Sequence, residues 1–258
     1  MSNIPSVTEP KSLQSMKLPD SLLDWTKKRL KETPDPNQIK DIPNLIFVTG
    51  TSGTGKGTWV RNLIRATHCL NRSEEEELGC GNCEVCNDDP RDSTELQNVV
   101  WVECGSRHGD TDYKKVQRAM QVAKAGPYQT GNSHRDILFI VFDEAHLLST
   151  DNLSSLLTIS EHNANDVKFI AITAEPEEIK PTVIKMLKSR GVHIQLPTPT
   201  PTQIVNHLQS IIDLQYEGLP SSAPKESLSL ISQKAEGSYR EAIQLLSQVY
   251  SYDPYCSP

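Results

Sequence analysis

The chain has 258 residues, a formal net charge of −7, an apolar fraction of 36% and a charged fraction of 23%. That length suits one large or two modest domains. The mild acidity argues against an autonomous, strongly basic nucleic-acid binder, and no apolar run approaches the ~20 residues of a bilayer span. The first twenty residues hold no basic-then-apolar leader, so a cytoplasmic protein with no membrane partner is expected.

Residues 1–43 read as an N-terminal extension. A polar, proline-spotted and aperiodic lead runs to about Pro19, and its lack of period predicts a flexible segment. Asp20–Glu32 predicts one amphipathic helix, with Leu22, Leu23, Trp25 and Leu30 on its apolar side. Thr33–Gln38 is a breaker-rich link.

From residue 44 to 197 a strand–loop–helix unit repeats. Strands are expected at Asn44–Val48, Val99–Glu103, Ile137–Phe142, Val167–Thr173 and Val192–Leu196. Helices are expected at Thr58–Leu70, Asp112–Lys124, Asn152–Ser160 and Pro181–Lys188. This alternation calls for an α/β fold with a mainly parallel sheet. The Pro-Thr repeat at Pro197–Thr202 closes that domain. Residues 198–258 then show helical period only, in Thr202–Gln215, Lys225–Ala235 and Ser238–Tyr250, which makes a small three-helix domain.

Three motifs carry chemistry. The first is Gly50-Thr51-Ser52-Gly53-Thr54-Gly55-Lys56-Gly57-Thr58, between an expected strand and an expected helix. Glycines let backbone N–H groups turn around an anion, the helix N-terminus adds partial positive charge, and Lys56 adds a full one. The residue after the lysine is ordinarily Ser or Thr, whose hydroxyl holds Mg²⁺; here it is Gly57. Either Thr58 substitutes, or water and phosphate oxygens hold more of the metal. The second motif is Asp143-Glu144-Ala145-His146, ending the third strand. Asp143 suits a magnesium shell and Glu144 can polarise water, while His146 serves packing as readily as chemistry. The third is Cys69, Cys80, Cys83 and Cys86. Four thiolates at this spacing close a tetrahedral, structural Zn²⁺ site, with an iron–sulfur cluster as the alternative ligand chemistry. Three weaker signals are Thr173 at a strand end, where a hydroxyl can sense a γ-phosphate, Arg190 at a helix end, and Arg240 in a helix first turn, where a cation invites a phosphate.

In this order the motifs resemble the gamma/tau ATPase subunits of bacterial DNA polymerase III clamp loaders, of the AAA+ class. The resemblance spans about Asn44–Tyr250, and the zinc module at residues 69–88, directly after the phosphate-loop helix, is its most discriminating feature. It implies a P-loop AAA+ parallel sheet with an inserted zinc module, followed by a three-helix lid. It further implies an ATPase with ATP, Mg²⁺ and Zn²⁺, bound between the α/β domain and the lid. Lys56 and the loop amides would hold phosphates, Asp143 organise the metal and Glu144 activate water. Thr173 and Arg240 would report on the γ-phosphate, and Arg190 would reach a neighbouring subunit's ATP. The implied partners are other clamp-loader subunits in a hetero- or homo-oligomeric ring, a sliding clamp and primed DNA. The family's Ser-Arg-Cys segment here ends in Gly191, and the family continues beyond the lid into a collar domain. Two alternatives are a non-catalytic stator similar to delta prime, and a nucleotide kinase, which shares the Gly-Lys-Gly-Thr ending.

Overall fold

The computed structural model describes residues 9–30, 42–71, 78–92, 96–105, 112–131, 136–162, 166–215 and 225–252. The expected link at Thr33–Gln38 lies outside them. The chain divides into two compact units. The α/β unit holds Pro10–Thr49 and Lys56–Gln195; the other holds the Gly50–Gly55 loop together with the chain from Leu196 onward.

In the α/β unit, helix α1 (Asp20–Leu30) precedes strand β1 (Leu45–Thr49) and helix α2 (Lys56–His68). A single turn, α3 (Glu84–Asn87), leads to β2 (Val99–Glu103) and α4 (Asp112–Ala125). Then come β3 (Leu138–Asp143), α5 (Thr150–His162), β4 (Val167–Thr173), α6 (Pro181–Arg190) and β5 (Val192–Gln195). The strands form one sheet in the order β2-β3-β4-β1-β5, every pair parallel. A parallel sheet needs crossovers that cover its faces, which is why the interior strands read as unbroken apolar runs. All residues of β1 and β4 are buried, and Phe47, Phe139, Phe142 and Phe169 are fully so. Each such side chain stabilises the fold by about 1.5–3 kcal/mol. Register aligns Thr49 with Thr173 and Glu103 with Asp143, so the polar residues collect at the carboxyl ends of the strands. Ligands bind at that end of open α/β sheets.

The N-terminal lead departs from its expectation. Leu13 is fully buried and its amide donates to Leu78 O at 3.2 Å. Asn62 Nδ2 donates to Pro10 O at 2.9 Å, and Lys11 Nζ to Asn87 Oδ1 at 2.7 Å. Trp25 of α1 packs at 6.4 Å from Trp59 of α2. These contacts explain why α2, with its many polar residues, is buried from Trp59 to His68. Polar groups there are satisfied internally: Arg65 reaches Asp88 O at 3.0 Å and His68 bonds Ile64 O and Ile137 O.

The second unit carries α7 (Pro201–Gln215), α8 (Lys225–Lys234) and α9 (Tyr239–Tyr252). Ile204, Leu208, Ile211, Leu228, Ile231, Ala242 and Leu246 form its own core. Their i, i+3, i+4 spacing is the apolar stripe of a helical bundle.

Candidate nucleotide and metal sites

The Gly50–Gly55 loop follows β1, and Lys56 is the first residue of α2. Gly53 has φ +77°, a conformation open to glycine and strained for other residues. The loop packs on residues distant in sequence. Tyr239 N donates to Gly53 O at 3.0 Å, and Thr51 Oγ1 lies 3.1 Å from Thr198 Oγ1. Thr54 Oγ1 closes the turn by donating to Thr51 O at 2.9 Å. Ser52, Gly55 and Gly57 complete the motif. Tyr239 stacks edge-on to His207 at 5.0 Å, and its hydroxyl is pushed up in pKa by burial. Arg240 is exposed in the first turn of α9. Sequence reasoning missed Thr198 and Ser238 as loop partners, since no local pattern announces a contact between segments so far apart in the chain.

In the α/β unit, Lys56 is buried and Asp143 is half-buried at the end of β3. Burial raises the Asp143 pKa; the Glu144 amide, which donates to Asp143 Oδ1 at 3.1 Å, opposes it, as do the Arg61 and Lys56 charges, while Glu103 adds to the rise. Glu144 stands in the left-handed region at φ 55°, with its carboxylate exposed. A non-glycine residue held there marks a constrained position. Its Oε2 lies 3.5 Å from His146 Nδ1, and that nitrogen shares a hydrogen bond with Thr173 Oγ1 at 3.0 Å. Glu175 Oε2 approaches His146 Nε2 at 3.7 Å, and the Glu175 amide donates to Thr173 Oγ1 at 3.0 Å. His146 therefore joins the acidic motif to the fully buried Thr173, a connection the sequence left open.

The magnesium expectation meets a thin donor set. Gly57 supplies no hydroxyl, and Thr58 Oγ1 accepts a hydrogen bond from Arg61 Nη2 at 3.2 Å. Asp143 stands as the carboxylate of the site, outside any cluster of metal-ligating side chains among the described residues. Arg190 ends α6, where its Nε pairs with Glu161 Oε1 at 2.6 Å and its Nη1 lies 3.9 Å from Met186 Sδ. Gly191 follows because a Cβ there would lie 2.7 Å from Leu45 O, which accounts for the missing cysteine of the expected Ser-Arg-Cys segment.

The four cysteines do converge. The Sγ atoms of Cys69, Cys80, Cys83 and Cys86 all lie within 4.8 Å of one another. Cys69–Cys83 and Cys80–Cys86 are each separated by 3.9 Å. A tetrahedral site with Zn–S of ~2.3 Å requires sulfurs about 3.8 Å apart. Backbone amides reinforce the anionic sulfurs: Cys80 N donates to Cys69 Sγ at 3.5 Å, Cys83 N to Cys80 Sγ at 3.3 Å and Cys86 N to Cys83 Sγ at 3.4 Å. The Cys86 thiol's hydrogen bond holds Cys69 down to about 4, while Cys86 is pushed up by the same bond. Cys104 is different: a buried core thiol, raised to about 12 by burial.

A five-stranded parallel sheet in this order, a glycine-rich loop after β1, an acidic pair ending β3 and a C-terminal helical unit define an AAA+ fold. A RuvB chain of Thermotoga maritima shares that fold, with a TM-score of 0.60 at 13% identity over 95% of this chain and 65% of the other. The chain belongs to the family described as DNA polymerase III, delta subunit, whose model matches residues 26–200. DNA polymerase III subunit tau of Bacillus subtilis is 25% identical over 83% of this chain and 34% of its own length. Subunit gamma of Buchnera aphidicola subsp. Baizongia pistaciae is 32% identical over 78% and 49%. The chain spans between 28% and 50% of the length of such curated relatives. No helix among the described residues is long and apolar enough to cross a membrane.

Proposed function

We propose that this chain is an ATP-binding and hydrolysing subunit of a cytoplasmic DNA sliding-clamp loader acting in replication. The observation that carries the reading is the meeting of two motifs in the α/β unit. The glycine-rich loop and Lys56 follow the carboxyl end of β1, and Asp143 stands at the carboxyl end of β3 in the same parallel sheet. Residues 44–197 form the nucleotide-binding domain and 198–258 the lid, after an extension at 1–43. Lys56 and the amides of Gly50–Thr58 bind the triphosphate; a Mg²⁺ ion would find Asp143 as its carboxylate. Glu144 accepts the proton of the attacking water. Thr173, coupled to Glu144 through His146, and Arg240 sense the γ-phosphate. Arg190 acts on a neighbouring subunit's nucleotide, which requires it to leave Glu161; an exposed pair of this kind is worth only ~0–1 kcal/mol. Zn²⁺ on Cys69, Cys80, Cys83 and Cys86 stabilises its module without joining the chemistry. The partners are other clamp-loader subunits in a ring, a sliding clamp and primed DNA.

One observation favours a second reading, a delta-prime-like stator that binds nucleotide without turnover: Gly57 removes the metal-binding hydroxyl. The family match leaves the nucleotide-kinase alternative without support. Reconstitution with sister subunits, clamp and primed DNA separates the readings. Lys56→Ala should abolish ATP binding, and Glu144→Gln should keep binding and stop turnover. Intact binding with no turnover by the wild-type assembly would establish the stator.

A further inference from the structure

We infer that the Arg61 guanidinium is a built-in counter-cation for the bound phosphates, standing where the metal-binding hydroxyl of a phosphate loop would act, so that ATP binds this chain with little need of a divalent ion. This deepens the phosphate-loop assignment and rests on it.

Residues 57 and 61 are one turn apart on α2, and helical side chains lean back toward the N-terminus. Arg61 therefore points toward the position that Gly57 leaves without a side chain. A Cβ on Gly57 would lie 3.3 Å from Arg61 Nη1. Its other terminal nitrogen, Nη2, donates to Thr58 Oγ1 at 3.2 Å, so the guanidinium faces both residues that follow Lys56. Arg61 is only 9% exposed. A buried cation near a helix N-terminus opposes the helix dipole and needs anions around it. Its positive charge works to lower the pKa of Asp89, after the cysteine module, and of Asp143. Asp143 and a triphosphate would share this fixed positive charge, since Asp89 is bonded to Arg91 through both carboxylate oxygens. Guanidinium suits this position because it stays ionised and presents a planar set of donors that matches phosphate oxygens. A Ser or Thr hydroxyl can only ligate a metal that the nucleotide brings; the arginine supplies its charge directly.

The test is a titration of a fluorescent ATP analogue, once in millimolar Mg²⁺ and once in EDTA, on chains shown by elemental analysis to keep their zinc in both media. Wild-type affinity should differ by less than about threefold between the two media. Arg61→Gln should weaken binding in EDTA by at least about tenfold, and Arg61→Lys should restore part of it. Gly57→Thr combined with Arg61→Gln should recover binding in Mg²⁺ alone. A wild-type chain that loses about tenfold or more in EDTA overturns the assignment, whatever the variants do, so an Arg61 variant that fails to fold does not protect it. Equal binding by wild type and Arg61→Gln in EDTA overturns it as well. Absence of ATP binding in both media sinks the phosphate-loop assignment itself, a result distinct from tight binding that depends on Mg²⁺.

Discussion

Replacing Gly53 by alanine should damage the molecule through two separable costs. Gly53 sits at φ +77°, where an L-residue is strained by about 1–2 kcal/mol. The new methyl group would also collide with Ser238 Oγ and lie 2.8 Å from Ser238 Cβ and 3.3 Å from Ser238 Cα. Overpacking of this kind costs about 1–3 kcal/mol, so the total is about 2–5 kcal/mol. Ser238→Gly removes the two nearest atoms. Ser238 caps α9, its Oγ accepting from Glu241 N at 3.1 Å, but glycine at an N-cap costs only a few tenths of a kcal/mol. The double variant should then recover the collision and keep the backbone strain, giving a favourable coupling of about 1–3 kcal/mol in the cycle. Urea unfolding of the four proteins measures the cycle. Hydrogen exchange at the Tyr239 amide, which donates to Gly53 O, reports the site locally. Additive effects, or a Gly53→Ala chain within about 0.5 kcal/mol of wild type, would refute the packing of this loop on the start of α9.

Cys83→Ser should lower bound zinc from about one equivalent per chain to a small fraction and reduce the melting temperature, as elemental analysis and calorimetry would register. Asp143→Asn should stabilise the nucleotide-free chain. Its carboxyl is raised by burial, so the folded state holds the proton longer than the unfolded one, and stability falls as pH rises from near 4 through the folded pKa. The variant should lose that pH dependence and, in the assembled complex, lose turnover. Arg190→Ala should leave this chain's own ATP affinity within about twofold and cut turnover only in the assembly; a loss of affinity in the isolated chain would contradict the trans role.

The sheet was legible because parallel strands buried on both faces leave contiguous apolar runs, as in Leu138–Phe142 and Phe169–Ile172. The phosphate loop, the acidic pair and the four cysteines were legible because each is compact in sequence. What escaped was long-range. Leu13 stands in an aperiodic, mostly polar stretch, and its backbone bond to the distant Leu78 could not be read from that stretch. Arg61 belongs to no sequence motif, and only its closeness to Gly57 and Thr58 in the fold marks it. Ser238 meets Gly53 across most of the chain. Gly191 resembled a lost cysteine, whereas its closeness to Leu45 O leaves no room for a side chain.

The position of β1 in the sheet also sets an order on synthesis. Its two partners, β4 and β5, are encoded roughly 120 and 150 residues after it, and parallel pairing pays its loop-closure entropy before any contact rewards it. The cysteine cluster, by contrast, draws on a short stretch that is complete soon after α2 emerges. The zinc capture proposed for this cluster would therefore precede closure of the sheet. During that interval the apolar strand Leu45–Val48 has neither neighbour, and an unpaired apolar edge is what aggregation and chaperones both recognise. Zinc-starved cells should thus be penalised early in the life of each chain, in the yield of soluble protein, before any nucleotide is bound.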